Sequence, residues 1–217
     1  MVVLEQTHRI YGRATVYLAA KAVKVVSVDR DIEFLASAPN WDVLLYKNDR
    51  KVIHHFPFKK WSANGLKTAL NGLEDNDRYL TMKATVEPTE RYAGVTARVL
   101  SFDNKSPARG KVGDYITATT LPVSDHACRV LCAIWDTRAN CGVPLRFRVM
   151  KTINFTSSNY GSRNDYRLVS GLETHKIEFV PYNAKLFVAP SGYREVQDGE
   201  IFFGHQDIKD LQEVLGN

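Results

Sequence analysis

The sequence predicts a mainly β fold: one large antiparallel sheet, strongly curved or closed, with a few helices packed against one face. Three observations predict it. Apolar and polar residues alternate with the two-residue period of strands over most of the chain. Short turn clusters separate these runs, so consecutive strands pair as antiparallel neighbours. No βαβ spacing occurs, which argues against a parallel sheet. The 217 residues are 44% hydrophobic and 24% charged. That balance excludes disordered, collagen-like and low-complexity chains. All-β units often run to about 200–250 residues, so residues 1–217 are expected to form a single domain whose core needs no disulfides.

The elements follow in order. Ala14, Val16 and Leu18 alternate with Arg13, Thr15 and Tyr17, and Val23 to Val28 is rich in valine. Ile32, Phe34 and Ala36 make a further apolar face, as do Trp41, Val43 and Leu45, and then Val52, His54 and Phe56. The separators Asp29-Arg30-Asp31, Ala38-Pro39-Asn40 and Lys47 to Arg50 are turn clusters. Pro57 ends the run, and Trp61, Leu66, Ala69, Leu70 and Leu73 carry helical spacing interrupted by Gly65. Strands resume at Leu80, Met82, Ala84 and Val86, then at Val95, Ala97 and Val99, and at Asp114 to Thr120, with a polar loop over 104–113. Ser124 is the expected N-cap of a second helix, with Asp125 in its first turn and Cys128, Leu131, Cys132 and Trp135 on its apolar face. Leu145, Phe147 and Val149 form another strand. Ser157 to Asp165 reads as a hairpin loop, and Tyr166 to Val180 as one or two strands with Gly171 a bulge. His205 to Leu215 reads as a short terminal helix. The total is about ten strands and two or three helices.

Charge narrows the function classes. The net charge is +5, with 16 Lys/Arg against 12 Asp/Glu in residues 1–108 and 13 against 12 in 109–217, so neither half is a basic tail. Lys47 to Lys60 is the densest basic stretch. It suits an anionic headgroup, or simply the exposed side of a lysine-protected edge hairpin. The ten Tyr and ten Phe mostly occupy alternating strand positions, as a core requires, and no arginine cluster stands out, so nucleic acid is not the expected partner. No run approaches the roughly 20 apolar residues of a spanning helix. The first six residues lack the basic and apolar regions of a signal peptide.

Catalytic motifs are lacking. There is no G-x-S-x-G, H-E-x-x-H, P-loop or G-x-G-x-x-G. His54 and His55 are adjacent in a strand and point to opposite faces. His126, Cys128, Cys132 and Cys141 come nearest to a metal set, but C-x3-C-x8-C fits no common zinc pattern, so no metal or cofactor is expected. Cys128 and Cys132 lie four apart on a helix, a poor geometry for a bridge, and are read as buried thiols.

The run Tyr11 to Leu18 followed by Ala22-Val23-Lys24-Val25, the pair Trp41 to Tyr46 and Lys51 to Pro57, and the late phrase Ala184 to Tyr193 (x-x-L-F-x-x-P-x-G-Y) resemble the bacterial lipoprotein-carrier (LolA/LolB-like) superfamily. The chain departs from it in two places. The family begins with a helix, whereas about ten residues precede Gly12 here, and Lys24 stands where the carriers use an arginine. The resemblance sharpens the expected fold to an unclosed β-barrel with helices in its concave side. It implies noncatalytic binding or transport of a lipid, a lipoprotein acyl chain or another hydrophobic small molecule, with contact to a membrane surface. It also implies a periplasmic or otherwise extracytoplasmic location with the signal peptide removed; the residues alone leave the cytoplasm open. The expected cavity lining is Val16, Leu18, Val43, Leu45, Leu80, Met82, Val95, Val99, Leu145 and Phe147. Two alternatives remain: an interaction or scaffold module with a filled core, and a hydrolase at the sheet mouth using His54, His55 or His175.

Overall fold

A computed structural model describes residues 1–65, 84–103, 111–137, 142–157, 161–197 and 200–201. The predicted strand start at Leu80 and Met82, the helical positions from Leu66 to Leu73, Cys141 and the terminal helix lie outside them.

Strands β1 (Val2–His8), β2 (Gly12–Ala19), β3 (Ala22–Ser27), β4 (Ile32–Ser37), β5 (Val43–Lys47) and β6 (Val52–Phe56) form an antiparallel meander, followed by helix α1 (Phe58–Asn64). A second series comprises β7 (Ala84–Tyr92), β8 (Val95–Asp103), β9 (Lys111–Ala118), helix α2 (Asp125–Ile134), β10 (Val143–Ser157) and β11 (Gly161–Phe179). A one-turn 3-10 helix, Ala184–Phe187, leads to the short β12 (Arg194–Glu195). All twelve strands join one unclosed sheet in the order β12-β6-β5-β4-β3-β2-β1-β11-β10-β9-β8-β7. Every pairing is antiparallel except β12 on β6. The mainly β, unclosed sheet with two described helices is the architecture expected from the sequence.

Two strands are absent from the sequence reading. In β1 the inward positions are Val2, Leu4, Gln6 and His8, all buried, so half of the inner face is polar and the alternation signal vanishes. The two residues of β12 are too few to carry a period. The loop expected over 157–165 is shorter in the structure, because β10 runs to Ser157 and β11 starts at Gly161. Gly171 is a bulge as predicted: Phe147 pairs Leu172 while Arg148 pairs Ser170, which leaves Gly171 unmatched. A Cβ there would stand 3.2 Å from the Phe147 ring. Gly12 has φ +69°, and a Cβ would collide with the Asp29 carboxylate that accepts from the Arg13 N–H at 2.8 Å.

Register explains the core. Val2, Leu18, Val23, Ala36, Val43 and Phe56 form one row across the first meander, and Leu4, Val16, Val25, Phe34, Leu45 and His54 the next. Helices α1 and α2 pack together, and α2 lies on β3, β4 and β10, so it bridges both halves of the sheet. The opposite face of the first meander is covered by the segment after β11, whose 3-10 turn rests on β3 and β4. There Lys24 pairs Glu33 at 2.8 Å, and Tyr46 and Asn48 donate to the same carboxylate at 2.7 and 2.6 Å. Burial pushes the Glu33 carboxyl up, but these three partners outweigh it and hold it below its ordinary range.

The second half rolls more tightly. Strands β7 and β11 are four strand spacings apart, about 19 Å if the sheet were flat. Yet Tyr92 at the end of β7 donates to Glu173 on β11, and Arg146 stacks 5.4 Å over the Tyr92 ring. Residues of one face can meet across four strands only if that face closes on itself. Fully buried Asp114 sits nearby, holding Arg146 at 3.3 Å and Arg148 at 2.5 Å.

Candidate functional site

The helix-facing interior is the surface on which the expected lining converges. Val16, Leu18, Val43, Leu45 and Leu145 are there with no exposed area, and Phe147 is 4% exposed. Val95 and Val99 are not on that surface. The row Leu100–Tyr115–Phe147–Leu172 faces α2, because the Tyr115 hydroxyl lies 3.8 Å from Cys132 Sγ. Val99 pairs Ile116, which in turn pairs Arg146; this row is one residue out of phase, and so Val99 belongs to the opposite face enclosed by the tight roll. Leu100 and Phe102 take the inward positions of β8. Sequence alternation supplies two faces for this strand and no means of choosing between them. Leu80 and Met82 lie outside the described residues.

Aromatic side chains fill the space between sheet and helices. Trp61 of α1 has no exposed area and packs against Phe56 and Phe34, with ring centroids 5.0 and 6.0 Å away. Its indole N–H donates to the Val130 carbonyl of α2 at 3.3 Å, which ties the helices together. Helix α2 starts at the predicted cap: the Ser124 hydroxyl accepts from the Ala127 N–H at 3.2 Å. Its buried side chains are Ala127, Val130, Leu131, Cys132 and Ile134, while Cys128 is half-buried. Burial raises the Cys128 thiol to about 11, so it is a poor nucleophile at neutral pH.

A histidine packs against aromatic rings at each end of α2. At the N-terminal end His126 stacks on Trp41 at 5.5 Å and lies 5.2 Å from Phe58. Trp41 takes a left-handed backbone conformation, φ 61°, with its N–H donating to Ser37 O at 2.9 Å. At the C-terminal end His8 stacks on Trp135 at 4.9 Å and on Tyr11 at 5.1 Å. Beside it the Trp135 indole N–H donates to Gln6 Oε1 at 3.0 Å. The Gln6 amide in turn donates to Pro144 O at 2.9 Å and to Thr174 Oγ1 at 2.8 Å. This buried polar chain links α2 to β1, β10 and β11. Sequence reasoning missed it, since Gln6 and His8 carry no motif.

His54 is held by the Val196 carbonyl at 2.5 Å and edges onto Phe56, and His55 is exposed on the other face. His175 Nε2 lies 2.9 Å from Thr7 Oγ1 beside an open groove of about 350 Å³ lined by Glu5, Arg13, Thr15 and Val28. Among the described residues no group of three or more His, Cys, Asp or Glu is placed to hold a metal ion, and no helix is long and apolar enough to cross a membrane.

No protein-family model matches the chain, and no curated protein matches it significantly. Among solved structures it is similar to an uncharacterized conserved protein from Thermus thermophilus, with 12% identity, a TM-score of 0.38, and 90% of this chain and 88% of that one covered. A score of that size carries no argument about fold or function.

Proposed function

We propose that the protein is a noncatalytic binder or carrier of a hydrophobic guest, such as a lipid or an acyl chain, held between the helix-facing surface of the sheet and helices α1 and α2. The supporting observation is the inner apolar surface. It spans β6 to β2 and is continued on β10 beyond the polar Gln6–Thr174 patch of β1 and β11, and among the described residues two helices of 7 and 10 residues cover it. Such a cover is small enough to move as a unit. A chain of about a dozen methylenes gains roughly 10 kcal/mol on leaving water, enough to offset the separation of two short helices from the sheet. Among the described residues, the inner apolar side chains pack with little or no exposed area. The guest therefore enters by displacing the helices. A membrane surface as donor or acceptor and an extracytoplasmic location belong to the same proposal.

The tight packing of the described inner side chains also favours a second reading, an interaction module with a permanently filled core whose partners bind outside. One experiment separates the two. Protein purified without detergent is extracted for lipid mass spectrometry and titrated with a fluorescent long-chain fatty acid. Stoichiometric lipid or saturable uptake supports the carrier. Neither lipid nor uptake leaves the filled module.

A further inference from the structure

Among the described residues, His8 is the histidine placed between the C-terminal end of α2 and the β1–β2 hairpin. Its Nδ1 accepts from the Ile10 N–H at 3.3 Å, and its ring stacks on Trp135, which caps the C-terminal end of α2, with centroids 4.9 Å apart. A ring nitrogen that accepts from a backbone N–H carries no proton. Protonation would set a second ring N–H against the Ile10 N–H, two donors facing each other with no acceptor between them. The ring is 5% exposed and stacked between Tyr11 and Trp135, so water does not solvate the new charge.

We propose that His8 is an acid-operated latch: when its imidazole takes up a proton, the C-terminal turn of α2 separates from β1 and β2 and the interior opens. The proposal deepens the carrier reading and rests on it for the consequence that a guest is exchanged under mildly acidic conditions.

The surroundings do not restore a charged ring. From the β1–β2 turn, Arg9 is adjacent and repels it. From the same turn, the Tyr11 hydroxyl is buried and held neutral, its pKa pushed up by burial and by Asp136. From the segment after α2, the Asp136 carboxylate acts on Arg9 and Tyr11. From the β3–β4 turn, Arg30 donates to Ile10 O at 3.1 Å and adds positive charge on the hairpin side. Burial accordingly pulls the His8 pKa down to about 3, with Arg9 adding to the shift. At the far end of α2, His126 between Trp41 and Phe58 is exposed. Its site lies at the opposite end of the helix from His8.

The test is hydrogen exchange of the α2 amides between pH 7 and pH 5, corrected for the intrinsic pH dependence, in the wild type and in His8→Phe. A latch whose open state titrates at the ordinary histidine value raises the opening constant about thirtyfold at pH 5 relative to neutral pH. His8→Phe keeps the stack and removes the proton acceptor, so its α2 protection stays constant over the same range. Equal loss of protection in both proteins, or no loss in the wild type, overturns the latch. If His8→Phe does not fold, the His8 ring is followed by NMR in the wild type. A ring that titrates near 6.5 while α2 stays protected overturns the proposal, and one that stays neutral in the protected state supports it. A fluorescent fatty acid added to the same samples separates the two ideas: acid opening of α2 without uptake at any pH retains the latch and removes the carrier.

Discussion

The two halves of the sheet bury their strands by different means. In β2 to β5 each strand sends one apolar row inward, helices cover that face, and the segment after β11 covers the other. In β7 to β11 one face meets α2, and the other closes on itself around Asp114, Arg146, Tyr92 and Glu173. The first half is held by apolar area, which is forgiving of geometry. The second depends on a charge network whose members are costly when left unpaired. On the proposed carrier reading, the first half and its helices carry the binding surface, while the second half is a structural clamp.

Mutations test that division. Trp61→Ala should have the largest effect, about 4 kcal/mol by chemical denaturation, since a fully buried indole leaves a cavity between Phe34, Phe56 and α2. A loss below about 1 kcal/mol would mean that the helices are not seated on the first meander. Asp114→Ala should cost about 3 kcal/mol, because it strands two arginines, partly relieved by their residual exposure. Its hydrogen exchange should rise in β8 to β10 while β2 to β5 stay protected. Uniform loss would show that the halves fold as one cooperative unit.

Acid adds a third measurement. His8 has a pKa lowered in the folded state, so its contribution to stability is full above about pH 6.5 and is lost as the pH falls towards 3. At pH 5 the wild type should be about 2 kcal/mol less stable than at pH 7 from this group alone, a difference absent in His8→Phe. Tyr92→Phe removes the hydroxyl bonds to Glu173 and the Thr174 carbonyl and should cost about 1 kcal/mol, all of it in the second half. Arg13→Ala, which breaks an exposed pair with Asp29, should leave the melting temperature unchanged.

The same division governs what can be read from the sequence. The strands from Ala14 to Phe56 are legible because short turns join strands whose inner positions are apolar almost throughout. The Ser124 cap and the apolar stripe through Leu131 locate α2. For Val95 and Val99 no face can be chosen from the sequence, because β8 is buried on both faces and alternation cannot rank two apolar rows. β1 escapes it because Gln6 and His8 occupy inward positions, where only a three-dimensional partner such as Trp135 justifies a polar residue. The Tyr92–Glu173 contact joins residues 81 apart in sequence, a separation at which no local pattern operates.

The most direct test of the carrier account is hydrogen exchange of the intact protein with and without a saturating long-chain fatty acid. The account predicts that α1 and α2 lose protection when the acid is bound while β2 to β5 keep theirs. Unchanged exchange throughout, with no fatty acid retained after gel filtration, would contradict it.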